Sequence, residues 1–503
     1  MERLSINLAD YGFAASQDGN HMGGSSMETV DALNKALAAE QITGRDTADL
    51  TTASGAPLKV ESLEKTLKHL TFRESDIRLW KDLPKKPAYN TVEEYNQQTS
   101  YGANRGGWNR EGELPEEEDS VFVRRAQLVK YLGVTKSVTH QMTLVNTMVG
   151  SIMERTIKDG TMWILRTLNQ GLYFGNEKLI PEQFNGFLAQ QEQSDAWASH
   201  SDYMNSEVVV DLRGNALTES AIELAANTIV ENYGLGTQIY GAPAVLSNFV
   251  KNFYGNKFIN PNTVQTSAGV MGQRVVAFDS QFGQIGLNHD IFFKKLPAKS
   301  SASAATSQKA PATPVWDLST PAAVNAAGAA GAAGSKFAAA DAGNVYYAVS
   351  AINRYGESQL AVTANAVAIT AGCTVDLKFA AGVGTNAATA FRIYRSKVGA
   401  AATDAMYPLF DVSVKELTDG YDGAGAGIIR DKNHFLPDCD QAMLVQFDNE
   451  VVEFAQLAPL MKMDLAVLSP AFRFMILLYG TPFLYAPKKM VRFVNIGSKL
   501  ITA

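Results

Sequence analysis

The segment 87–144 constrains this chain most, because it has the pattern of a long ribbon and too few apolar residues to make a core of its own. It has a Gly-rich tip (Gly102, Gly106, Gly107) and then an acidic patch of Glu111, Glu113, Glu116, Glu117, Glu118 and Asp119. A basic stretch follows, in which Val121, Val123, Gln127, Val129, Tyr131 and Val134 suggest extended structure, with Arg124, Arg125, Lys130 and Lys136 between them. A hairpin of this composition needs another surface to lie on, and a neighbouring copy of the chain is the expected one. Opposite charges on its two arms would set register between copies more than affinity.

The rest of the chain divides by composition. Residues up to about 297 and from about 435 are rich in aromatic and long aliphatic side chains, whereas the stretch between is dominated by Ala, Gly, Thr and Ser. Its opening run, AKSSASAATSQKAPATP from Ala298, predicts a poorly ordered linker. Beyond it, short alternating apolar runs at 345–352, 374–379 and 390–395, with turn residues Asn353 to Gly356, predict a β-sandwich inserted at about 312–430.

The host part reads as mixed α/β. Leu144, Met148, Ile152 and then Ile164, Leu168, Leu172 keep one apolar stripe, which predicts a long helix with a weak point at Asp159-Gly160. A second helix is expected over 217–233, capped by Thr218 or Ser220 and ended by Gly234. Gln238 to Tyr240 reads as a strand, and Pro243 suits the first turn of the helix after it. Residues 490–496 alternate like a strand, and 27–40 and 58–70 are helical candidates in a polar N-terminal stretch.

With 503 residues and 46% hydrophobic content the chain can bury several domains, and a net charge of −7 advertises no nucleic-acid binding. Two cysteines, Cys373 and Cys439, are too few for a disulfide framework and fit a reducing cytoplasm. The start has no signal-peptide pattern, and 472–485 is too short and broken to span a bilayer, so no membrane is expected.

No catalytic constellation stands out. No phosphate-binding loop, GxSxG or HExxH is present, and no two of the six histidines are close in sequence. The loop LTDGYDGAGAG around Asp419 and Asp422 has the look of a calcium loop but lacks EF-hand spacing and its terminal Glu. The acidic run is better read as a solvated or inter-subunit face than as a cation site. Lys294-Lys295 and Lys488-Lys489 with Arg492 are candidates to face DNA, with solvated or subunit-facing positions at least as good a reading. No cofactor, metal or catalytic residue is expected.

The ribbon, followed by a long helix, a strand-turn-helix (TQIYGAPAVLSNFV) and a terminal strand (MVRFVNIG), resembles the major capsid proteins of tailed bacteriophages, the Hong Kong 97-type fold. YAVSAINRYGES and FRIYRS resemble fibronectin type III and other immunoglobulin-like domains. The resemblance implies an α+β chain with an N-terminal arm (1–86), an extended-loop hairpin (87–141) and a peripheral domain with its spine helix (142–215). It implies an axial domain with an adjoining helix (216–297 and 435–480), a linker and insert (298–434) and a C-terminal peripheral strand (481–503). It further implies a non-enzymatic icosahedral head subunit, made in the host cytoplasm and resident in the virion. Its expected partners are itself in hexamers and pentamers, a portal, a scaffold or decoration proteins, and packaged double-stranded DNA. Candidate inter-subunit contacts are Trp108, Glu111, Glu113, Glu116, Glu117, Glu118, Arg124, Arg125 and Lys130. Some relatives cross-link a loop Lys to an Asn; the tip here has Arg105 and no Lys, which argues against it. The rival readings are an encapsulin-like shell or other virion protein, and a carbohydrate-active enzyme with a fibronectin type III module.

Overall fold

The computed structural model describes residues 71–102, 108, 110–114, 117–145, 151–256, 275–317, 322–466 and 469–497, without side chains for 253–256. The helical candidates at 27–40 and 58–70, most of the expected arm, Arg105, Gly106, Gly107 and Glu116 lie outside the described residues.

The long helix is Ile152–Phe174, begun by Ser151, whose side chain accepts from the Glu154 amide. Gly160, Ile164, Leu168 and Leu172 form its buried stripe. They pack it on a four-stranded sheet ordered Lys85–Pro87, Val452–Asp464, Ala471–Leu484, Lys130–Thr139. Two expectations change here. Gly160 is no weak point: a Cβ there would come within 2.8 Å of Ile476 Cδ1, so the missing side chain is what lets helix and sheet approach. The helix also does not run back to 142; His140–Leu144 is a separate short helix and Val145 is extended. Below the long helix, the buried Asp290 ties elements together, its Oδ2 accepting from Asn169 Nδ2 (2.8 Å) and Tyr173 OH (2.9 Å). Burial first, and then this carboxylate, raise the Tyr173 pKa, so the phenol stays a donor.

A six-stranded mixed sheet forms the second half of the body, ordered Val209–Asp211, Met490–Ile496, Asp440–Val445, Gln238–Gly241, Gly283–His289, Ala277–Ser280. Helix Glu219–Glu231 packs Ile222, Ala226 and Ile229 into its core, and its cap is Thr218, as expected. The chain turns after it at Tyr233, which itself takes φ 60, rather than at Gly234. All seven residues of Met490–Ile496 are buried, and the strand shares this sheet with Gln238–Gly241. The C-terminal strand therefore does not lie in a separate unit from the strand-turn-helix.

The region expected to be an insert folds as two facing β-sheets. One sheet holds Tyr347–Asn353, Ala390–Ser396 and Met406–Ser413, with Gly356–Glu357 and Ala361–Val362 on its edge. The other holds Ala322–Asn325, Thr374–Ala380 and Ile428–Asp431, with Val315–Trp316 pairing at the end of its middle strand. Val349, Phe391 and Ile393 from the first meet Val375, Leu377 and Ile429 from the second in one core. A buried pair, Arg395–Asp431 at 2.8 Å, links the sheets.

That core does not stop at the sandwich. Tyr203, Met204, Val208 and Val494 of the body belong to it. Polar ties reinforce the seam: Arg213 Nη1 donates to Asn433 O (2.9 Å), Lys336 Nζ to Met204 O (3.1 Å), and Asn495 Nδ2 to His434 O (2.9 Å). The stretch from Ala298, expected to be a loose linker, is instead a strap on the sandwich. Lys299 and Met406 exchange both backbone bonds, at 2.9 and 2.7 Å; the Thr306 amide donates to Glu357 O (2.9 Å), and the Glu357 amide donates to Thr306 Oγ1 (2.8 Å). Low complexity misled here because backbone pairing and one ion pair, Lys299–Glu357 at 2.8 Å, need little side-chain variety.

Candidate assembly surface

The ribbon is built from Val92–Ser100 and Val121–Leu128, an antiparallel pair separate from every other sheet. Strand alternation gives it two faces. Glu93, Tyr95 and Gln97 pair with Gln127, Arg125 and Val123 and are half-buried; Val92, Glu94, Asn96 and Gln98 pair with Leu128, Ala126, Arg124 and Phe122 and are exposed. No residue of either strand is fully buried. A two-stranded hairpin with no buried residue is marginal in water by itself.

The half-buried face sits on the chain's own body. The Tyr95 ring meets Phe483 and Tyr485 edge-on, with centroids 5.4 and 4.9 Å apart. Tyr485 OH donates to Glu453 at 2.8 Å, and burial followed by that carboxylate raises its pKa. At the root, Ala88 and Val129 are buried against Ala455 and Phe483. Val129 is also a divide. The strand expected to run on through Val134 breaks there, and Lys130–Thr139 leaves the ribbon to pair with Ala471–Leu484.

The nine candidate contacts do not share one setting. Arg125 pairs with Asp195 and donates to Gln97 Oε1 (3.3 Å), and Lys130 donates to Glu177 (2.7 Å) and Pro181 O (2.7 Å). Within the subunit these two tie the base of the ribbon to its own body. Trp108 is 95% exposed, and Glu111, Glu113 and Glu117 are exposed beside it in sequence. Glu113 takes part in a local turn, its carboxylate accepting from the Arg110 amide at 3.2 Å. Glu118 lies against Gly102, and Glu116 is outside the described residues. Arg124 stays on the open face and pairs across the ribbon with Glu94 at 3.4 Å.

Tyr95, Phe483, Tyr485 and Asp195 were not among the candidates; nothing in the local sequence links them, because they meet only after the long hairpin 452–484 folds back. The basic cluster also divides. Arg492 is buried and bonded to Gln441 Oε1, and Lys295 pairs with Asp438 at 2.6 Å, so neither is a free cation for DNA. Cys373 is buried, and burial pushes the Cys439 thiol up to about 11, away from reactivity. No helix of the described residues is long and apolar enough to cross a membrane.

The chain is similar in sequence to the major capsid proteins of several phages. The major capsid proteins of Staphylococcus phage S25-3 and Staphylococcus phage K are each 24% identical to it over 459 residues, covering 87% of this chain and 90% of theirs. The putative major capsid protein of Enterococcus phage phiEF24C is 24% identical over 445 residues, covering 88% and 90%. No protein-family model matches the chain. Among solved structures, the capsid of an empty GTA particle aligns with 89% of this chain and 99% of its own at 10% identity and TM-score 0.43. The capsid of Myoviridae phage XM1 aligns over 86% and 96% at 7% identity and TM-score 0.38. An encapsulin from Synechococcus elongatus aligns over 87% and 94% at 7% identity and TM-score 0.37.

Proposed function

We propose that this chain assembles into hexamers and pentamers of an icosahedral phage head that encloses double-stranded DNA, and that it does no catalysis. The observation that carries the reading is the ribbon: a pair of strands with an open face holding Val92, Phe122 and Leu128 and an exposed tip holding Trp108 and Leu114, in a homologue of major capsid proteins. Laid over a neighbour, that face and tip add one of several contacts per subunit. Many modest contacts sum to a stable shell while each stays weak enough to be remade during assembly.

The sandwich, immunoglobulin-like in this reading, stands on the particle surface and serves stability or attachment. Portal, scaffold and decoration proteins are the further partners, and assembly takes place in the host cytoplasm. The test is sedimentation and electron microscopy of the expressed full chain, with nuclease-protected DNA measured in particles from infected cells. Shells or capsomers are expected from the chain alone and protected DNA from infection. A strictly monomeric chain, or particles that hold an enzyme cargo and no DNA, would overturn the reading.

A further inference from the structure

The loop with the look of a calcium site does something else. Asp422, at φ 56 between Gly420 and Gly423, turns inward at the seam between sandwich and body. Its Oδ1 accepts from Ser201 of the body and from Lys432 Nζ at 3.1 Å. Its Oδ2 is buried, 3.5 Å from His434 Nε2 and without a hydrogen-bond partner in the protein. His434 is 4% exposed, and neither of its ring nitrogens has a hydrogen-bond partner in the protein. The His200 ring of the body packs edge-on against it, centroids 5.6 Å apart, with Nδ1 held by Glu192 at 2.7 Å. Phe435 and Tyr421 close the site, and Arg492 lies over Phe435 and 3.9 Å from Glu192.

A cation does not suit this place. The Lys432 ammonium already neutralises Asp422, and no group of three His, Cys, Asp or Glu among the described residues is arranged to hold a metal ion. A proton is different, since it would arrive on the unpartnered ring. We propose that His434 is an acid-sensitive latch: its neutral ring closes the seam between sandwich and body, and its protonation opens that seam.

The balance of forces supports this. Asp422 favours a charged ring, but burial outweighs it, and His200 and Lys336 add repulsion, so the His434 pKa is lowered from 6.5. In the open seam the ring recovers its ordinary value near 6.5. The open state then binds more protons below that value, so the seam is most stable above it and weakens as pH falls. The carboxylates act elsewhere. Burial works against both charges, yet His200 and Arg492 hold Glu192 below 4.5, and the nearby His434 ring, the Ser201 hydroxyl and the charges of His200 and Lys432 hold Asp422 below 3.8. Their contribution is present above those ordinary values and is lost only under stronger acid. The window from 6.5 down to 4.5 therefore belongs to the histidine.

Hydrogen exchange of the full chain, corrected for the intrinsic pH dependence of exchange, tests the latch. Protection at 199–204 and 420–436 is expected to fall as pH drops below 6.5, by at most about tenfold per pH unit, the limit for one proton. Protection of Ile152–Phe174 is expected to hold. His434→Gln should remove the slope. A flat wild-type profile, or a slope that survives in His434→Gln, would overturn the proposal. Should that variant not fold, exchange at the imidazole C2 of wild-type His434 reads its pKa directly; a value of 6.5 or higher also overturns it.

Discussion

The sandwich and the ribbon are both antiparallel β-structure, yet they are held by opposite means. The sandwich closes two sheets over a core in which Val349, Phe391, Ile393, Val375 and Leu377 are wholly buried, and it shares that core with the body. The ribbon has one layer, buries none of its own strand residues, and leans on the body through the Tyr95 ring and a few polar contacts of Gln97 and Arg125. Burial of apolar area is the main favourable term in folding. The sandwich therefore has its stability inside the chain, whereas the ribbon has most of its share still to gain outside it.

The largest effect that separates them is expected in the sandwich. Arg395→Ala leaves Asp431 buried and unpaired, 2% exposed, and should destabilise the chain by about 3–5 kcal/mol in denaturant unfolding. A loss under about 1 kcal/mol would mean that the Tyr347 hydroxyl, which also donates to Asp431 at 2.8 Å, suffices for that carboxylate. Next, Tyr95→Ala should remove about 1–2 kcal/mol and act locally. Exchange protection at 92–100 and 121–128 should drop while the unfolding midpoint of the sandwich stays put. Acid sharpens the contrast further. Burial opposes the Glu357 charge, but Arg392 and Lys299 hold its pKa below 4.5, so its contribution is present above that value and lost as pH falls further. The strap at 299–307 should lose protection under that acid while the ribbon shows no such step. The smallest effect is expected at Arg124→Ala. Its pair with Glu94 is 70% and 52% exposed, so the unfolding free energy should change by less than about 1 kcal/mol. Any larger change would mean that Arg124 makes a stronger contact within the subunit than its exposed pair with Glu94.

How much of this was legible follows the same divide. The sandwich strands at 347–353, 374–380 and 390–396 could be read because alternation is local and turn residues punctuate it. The helix at 219–231 could be read from its cap and apolar spacing. The break at Val129 could not. Strand-forming residues continue from Val121 through Val134 with no turn residue at Val129, and only the arrival of the distant strand Ala471–Leu484 decides which half leaves the ribbon. Gly160 looked like a break because the sequence shows a missing side chain but not the Ile476 methyl that needs the space. The same limit hid Arg125 and Lys130 facing inward, and His200 beside His434, since each pair is joined by packing rather than by spacing.

The central claim is that the ribbon's open face and tip are completed by another copy of the chain. Hydrogen exchange at 92–100 and 121–128, compared between dissociated subunits and assembled particles, tests it most directly. The account predicts weak protection in the subunit and protection at least tenfold stronger in the particle. Equal protection in the two states would contradict it.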